Sequence, residues 1–182
     1  MNIVITGMKH CGKSTHGRHL ASIWQCPFVD TDNVITELYE QEHGRKLVPR
    51  SIFKLHGEDY FRQLEANAIR KLIAEPVDGK RVIALGGGVP SNSHLGEDLK
   101  QLGFIVYLHV DPEIILRRII RKGLPPMLQG DNPRKNFLEL YNCREPYYIK
   151  FADLVIELDG NLPAKSVGQD IIAKIEEKLH ER

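Results

Sequence analysis

Residues Gly7-Met8-Lys9-His10-Cys11-Gly12-Lys13-Ser14, with Thr15 behind them, follow the pattern G-x-x-x-x-G-K-[ST] of a phosphate-binding loop. Glycines let the backbone fold tightly, so that successive N–H groups converge on phosphate oxygens. In such a loop Lys13 reaches the β- and γ-phosphates, and the Ser14 hydroxyl ligates Mg²⁺. A helix that starts behind the loop turns its positive end to the same anion. The flanks agree. Met1-Asn2-Ile3-Val4-Ile5-Thr6 is rich in β-branched residues and reads as a buried strand. Ser14 to Gln25 reads as a helix with Leu20, Ala21 and Trp24 among its apolar positions. Strand, glycine loop and helix in succession predict a nucleotide site.

A chain of 182 residues is long enough for one large core, so one domain over 1–182 is expected. The net charge of +1 gives no global reason to expect nucleic-acid or membrane partners. Three cysteines, Cys11, Cys26 and Cys143, do not suggest a disulfide framework and fit a reducing cytoplasm. No C-x-x-C or comparable His/Cys cluster points to zinc. There is no run of about 18 apolar residues, as a membrane span requires. The start of the chain lacks the basic head and apolar segment of a signal peptide.

Strand and helix patterns alternate along the chain, which predicts an α/β fold with a parallel sheet. Cys26 to Asp30 reads as a second strand and ends at Asp30-Thr31-Asp32. Carboxylates at a strand's C-terminal end lie where open α/β sheets bind ligands, although an Asp there also caps the next helix, here Asn33 to Glu40. His43 to Lys46 reads as loop, Val48 to His56 as a short helix, and Gly57 to Ala74 as a longer one. On the latter, Arg62 and Glu65 share a face. Such a pair is usually a solvated surface pair; alternatively Glu65 orients Arg62 toward an anionic substrate. Arg81 to Leu85 is a third strand that runs into Gly86-Gly87-Gly88, a sign of close backbone approach to a ligand.

Pro90 and Ser91 predict the start of a helix to Leu102, and Gly103 to Val110 a fourth strand. Asp111 and Pro112 start a helix through Lys122 that carries Arg117, Arg118 and Arg121. Gly123 to Pro133 is the clearest loop and a candidate lid. Arg134 to Lys150 reads as a helix interrupted near Pro146, Leu154 to Leu158 as a fifth strand, and Pro163 to Leu179 as the closing helix.

Several motifs in order resemble the shikimate kinase family across most of the chain. They are the phosphate loop, Asp30-x-Asp32, Gly57-Glu58-x-x-Phe61-Arg62-x-x-Glu65, Gly86-Gly87-Gly88 and Arg144-x-Pro146-x-Tyr148. The resemblance implies a three-layer α/β/α P-loop kinase fold with a central five-stranded parallel sheet. It also implies a substrate-binding region near 31–62 and a mobile lid near 123–135. The implied reaction is ATP-dependent phosphorylation of shikimate, with Mg²⁺ as cofactor. The protein is expected to be a cytoplasmic monomer.

On that resemblance Gly7, His10, Cys11, Gly12, Lys13, Ser14, Thr15 and Arg118 contact the nucleotide. Arg118 matches an arginine that lies against adenine. Ser14 and Asp30 belong to the metal. Asp32 and Lys13 are catalytic. Asp32 also binds the acceptor's hydroxyls, and Arg62 and Arg144 hold its carboxylate. Gly86, Gly87 and Gly88 lie beside the ring, with Phe53 and Phe61 as walls.

Two departures stand out. His10 occupies a loop position where many such kinases carry glycine, and Pro125 stands where the family's lid carries an arginine. Arg121 or Arg134 is the expected replacement for that charge. The departures keep two other readings open: a kinase for another carboxylated polyol such as quinate or gluconate, and a nucleotide-binding protein of weak activity. Cys11, beside the loop amides, reads either as an activated thiol or as a small filler residue, the latter favoured.

Overall fold

Strands β1 (Asn2–Thr6), β2 (Phe28–Asp30), β3 (Arg81–Ala84), β4 (Phe104–Val110) and β5 (Leu154–Leu158) form one parallel sheet, in the order β2-β3-β1-β4-β5. The computed structural model of the chain describes residues 1–124, 128, 132–160 and 164–181, with the backbone alone at 164–166. In β1, Ile3 and Ile5 belong to one apolar cluster and Val4 to another. Successive side chains leave opposite faces of a strand, so this alternation means that both faces are buried. One face is covered by α1 (Lys13–Ile23), α7 (Ala164–His180) and parts of α5 (Pro112–Lys122) and α6 (Pro133–Phe151). The other is covered by α2 (Thr31–His43), α3 (Pro49–His56) and α4 (Glu58–Ala74). This is the three-layer α/β/α arrangement expected. Among the described residues no helix is long and apolar enough to cross a membrane.

Two expected elements differ. Residues 90–102 do not form one helix. They hold two 3-10 segments, Val89–Ser91 and Gly96–Leu102. Asn92 turns its amide inward to Arg62 and Glu65, and Gly96 at φ +50° leaves the right-handed helical region. Conversely, α6 runs through Pro146 without interruption. Tyr148 and Phe151, both buried beyond the proline, hold its last turns against the core. The remaining elements match to within two residues at each end, except that α2 runs three residues past the expected Glu40, to His43. Residues 125–127 and 129–131 of the expected lid, Pro125 among them, lie outside the described residues.

Aromatic contacts anchor the short helix α3. Tyr39 on α2 and His56 on α3 meet at 2.9 Å, and the His56 ring stacks on Tyr60 of α4 at 4.5 Å. These contacts fix α3 at its C-terminal end, so that Phe53 and Arg50 face the sheet's C-terminal edge.

Candidate active site

Strands β1, β2 and β3 end side by side, and each end carries a motif. At β1 the phosphate loop begins at Gly7, whose φ is +140° and whose missing Cβ would lie 2.8 Å from the Leu108 carbonyl oxygen. Only glycine fits there. The loop closes on α1, whose first turn contains no acidic residue, so its positive end faces the loop unopposed. Lys13 is buried, and its ammonium donates to the Gly7 and Met8 carbonyls at 2.9 and 3.0 Å.

His10 adopts φ +70°, a left-handed conformation that explains why glycine suits this position. Burial first, and the charges of Lys9, Lys122, Lys13 and Arg118 after it, hold its imidazole down to about 4. The ring is therefore neutral at physiological pH. The left-handed backbone costs a non-glycine residue about 1–2 kcal/mol. His10→Gly is expected to raise stability by about 0.5 kcal/mol, net of the extra freedom glycine has when unfolded. His10→Val is expected to lower it by about 1 kcal/mol, since a β-branched residue is worse there. Denaturant titration of the two variants measures both.

Asp30, at the end of β2, serves two purposes. Its Oδ1 accepts from the Asp32 N–H at 3.2 Å, capping α2, and its Oδ2 accepts the Ser14 hydroxyl at 2.7 Å. The cap is present, and the same carboxylate also reaches the phosphate loop through Ser14. Asp32 opens into the same cleft. Burial within the cleft first, then the Asp30 carboxylate, push its carboxyl above the ordinary range, against the pull of Lys13 and Lys9.

Where β3 ends, the Gly86 N–H donates to Thr31 at 2.8 Å and joins the glycine turn to the start of α2. A Cβ on Gly88 would lie 2.3 Å from Arg62 Nη1. Arg62 in turn donates to Glu65 at 2.9 Å. Glu65 is only 3% exposed and also accepts from Asn92 at 3.0 Å. This is not the usual solvated pair, because a buried Glu65 holds the guanidinium in place. Burial pushes the Glu65 carboxyl up while Arg62 and Asn92 draw it down, with the upward effect the larger. Gly88→Ala is expected to displace the guanidinium and to raise the KM of a carboxylated acceptor about tenfold, a change of about 1.4 kcal/mol. Steady-state kinetics with the acceptor varied would read this, with KM for ATP as the internal control.

A single cleft of about 1050 Å³ collects these groups. His10, Cys11, Gly12, Lys13, Ser14, Thr15 and Arg118 line it on the loop side, and Asp30 and Asp32 lie at the junction. Phe53, Arg62, Gly86, Gly87, Gly88 and Arg144 line the far side. Phe53 and Phe61 meet edge to face at 5.7 Å and form one wall. Arg144 comes from α6, one turn before Tyr148, whose hydroxyl donates to the Gly87 carbonyl at 2.6 Å. Arg118 donates to the His10 carbonyl at 3.0 Å and to that of Gly160, tying the loop to the turn after β5. Cys11 is 1% exposed and packs within the core, as a filler residue does.

Of the two expected replacement arginines, Arg121 lines the cleft, whereas Arg134 is exposed and paired with Glu113. Lys9, Arg50 and Lys54 also line the cleft and were not singled out from the sequence. A scatter of lysines and arginines over separate elements carries no periodic signal that could have found them.

The family model for shikimate kinase matches residues 9–179. A shikimate kinase of Caldanaerobacter subterraneus is 36% identical over 94% of this chain and 94% of its own length. The shikimate kinase of Symbiobacterium thermophilum is 36% identical over 100% of this chain and 98% of its own. Among solved structures, shikimate kinase from Acinetobacter baumannii in complex with shikimate superposes with a TM-score of 0.81 at 33% identity, covering 97% of this chain and 93% of that one. The enzyme from Bacteroides thetaiotaomicron gives 0.76 at 27% identity, covering 97% and 98%. With a match across nearly its whole length, the chain belongs to the shikimate kinase family.

Proposed function

We propose that this protein transfers the γ-phosphoryl group of ATP to a hydroxyl of shikimate, giving shikimate 3-phosphate, a step of aromatic amino acid biosynthesis. One observation carries the reading: a phosphate loop and a pair of arginines, Arg62 and Arg144, line opposite sides of one cleft, with Asp32 at their junction. Phosphoryl transfer asks a protein mainly to align two anionic substrates and to neutralise charge. The loop amides and Lys13 hold the donor's phosphates. Arg62, kept in place by Glu65, and Arg144 grip the acceptor's carboxylate through their planar forks. Phe53 and Phe61 exclude water from the ring. Asp32 receives the hydroxyl proton as the oxygen attacks. Arg118 lies against the adenine.

Ser14 and Asp30 suit Mg²⁺. Their hard oxygens meet at 2.7 Å beside the loop, and Mg²⁺ is commonly held by one or two protein oxygens plus substrate phosphates. When bound, the ion neutralises charge on those phosphates. Among the described residues no group of three His, Cys, Asp or Glu side chains converges to hold a metal. Arg121 is our choice for the charge missing at Pro125. We read the protein as a cytoplasmic monomer with small-molecule partners only, since a net charge of +1 draws it to neither nucleic acid nor membrane. The reading is tested by phosphorus NMR of the product. A monoester on the 3-hydroxyl of shikimate supports it; phosphate transferred to quinate or gluconate in preference moves the acceptor.

A further inference from the structure

Lys9 stands on the seam between the two sides of the cleft. Its backbone nitrogen is 3.3 Å from the point where a Cβ on Gly87 would sit, so the phosphate loop rests on the glycine turn with no side chain between them. Gly87 belongs to the acceptor side through the Tyr148 hydroxyl, and Gly86 next to it faces Asp32 and Glu65. From this position the Lys9 side chain is exposed in the cleft wall. Among the described residues no hydrogen bond or ion pair holds its ammonium. Lys13 differs in this respect, being held by two loop carbonyls. The charge of Lys9 nevertheless acts in both directions: it draws the Asp32 carboxyl down on the acceptor side and the His10 imidazole down on the loop side.

We propose that Lys9 is a second phosphoryl-binding cation of this site, its ammonium contacting the group in transit between the phosphate loop and the acceptor hydroxyl beside Asp32. The inference rests on the phosphotransfer reading above. In that step the bond from the γ-phosphorus to the β–γ bridging oxygen breaks, and ADP keeps the electron pair. A bond from the acceptor oxygen to phosphorus forms, and the hydroxyl proton passes to Asp32. Negative charge is spread over the three equatorial oxygens while this happens. Lys13 approaches them from the end of the loop that opens α1, and Lys9 from the side of the loop that rests on the glycine turn. A lysine suits the task because its flexible stem lets a compact charge follow the moving group.

The test compares Lys9→Met and Lys9→Arg with the wild-type protein, using Mg-ATP and shikimate. Lys9→Met is expected to lower kcat about a hundredfold, the size of a lost transition-state contact, with both KM values within about threefold. Binding of Mg-ADP and of shikimate alone is expected to stay within about threefold, while the complex of both with aluminium fluoride weakens at least about tenfold. Lys9→Arg is expected to recover most of kcat.

A kcat in Lys9→Met within about twofold of wild type, or a rise in KM alone, overturns the proposal, because either leaves Lys9 without a transition-state role. Wild-type turnover in the same assay separates the two readings. If the wild type turns over and Lys9→Met does so equally well, only the role of Lys9 falls; if the wild type does not turn over, both readings fall.

Discussion

Asp32→Asn is expected to lower kcat about a thousandfold, the middle of the range for losing a positioned proton acceptor. The asparagine keeps the shape and can still hydrogen-bond a hydroxyl, so KM for ATP and for shikimate stays close to wild type. The same change is expected to raise thermal stability. Asp32 carries a pKa above its ordinary value because the cleft desolvates it and Asp30 lies beside it. A carboxyl whose folded pKa is raised binds its proton more tightly in the native state than when unfolded. Its contribution to stability is therefore present at low pH and lost as the pH rises through the folded pKa. At neutral pH the charge works against the fold, and a neutral asparagine removes that cost. A lower melting temperature for Asp32→Asn than for wild type at neutral pH would show that the carboxylate is not under this strain. For activity the sign is the opposite: kcat/KM of the wild type falls as the pH drops through the raised pKa of Asp32, because the proton acceptor is then filled.

Glu65→Ala is expected to cost about 3 kcal/mol of stability, the lower end for breaking a buried ion pair from one side. It leaves the Arg62 guanidinium, whose side chain is 20% exposed, with the well-exposed Glu58 at 3.6 Å in place of a buried partner, and it removes one acceptor from Asn92. Glu65→Gln keeps an acceptor oxygen for Arg62 and is expected to cost only about 1 kcal/mol. Both changes loosen the hold on the guanidinium that we propose grips the acceptor's carboxylate, so the KM for shikimate is expected to rise in each, more in the alanine variant, and that for ATP to stay unchanged. Urea titration gives the first quantity and steady-state kinetics the second. Equal stabilities of the alanine variant and the wild type would mean that Glu65 does not hold Arg62. The pH sign follows Asp32. Since the folded carboxyl lies above its ordinary value of 4.5, wild type gains on Glu65→Gln as the pH falls through the raised value toward 4.5.

Much of this site was legible in the chain because its chemistry is concentrated in contiguous motifs at strand ends. The phosphate loop, Asp30-x-Asp32 and the three glycines each follow an apolar run, and a parallel sheet brings the ends of such runs together. Arg62 and Glu65 were legible as a pair, but their burial was not. It depends on Asn92, which arrives from a segment that Pro90 and Ser91 marked as the start of a helix and whose Asn92 and Gly96 break it. Pro146 misled in the other direction. A proline removes one helical hydrogen bond, and the buried Tyr148 and Phe151 outweigh that loss through contacts that no local pattern reveals. The dual use of Asp30 was hidden for a similar reason, since a cap and a hydroxyl partner ask for the same residue type at the same place. Lys9 was passed over because it fills a variable position of the motif, and its meaning comes from the glycine turn that packs on it.

The most direct measurement of the central claim is ADP formation by the purified protein with Mg-ATP, with shikimate as acceptor and with none, beside quinate and gluconate. The expected result is turnover that depends on shikimate, with little above the acceptor-free rate for the other two acids. ATP binding without acceptor-dependent ADP formation from any of them would contradict the account and leave the cleft a nucleotide-binding site alone.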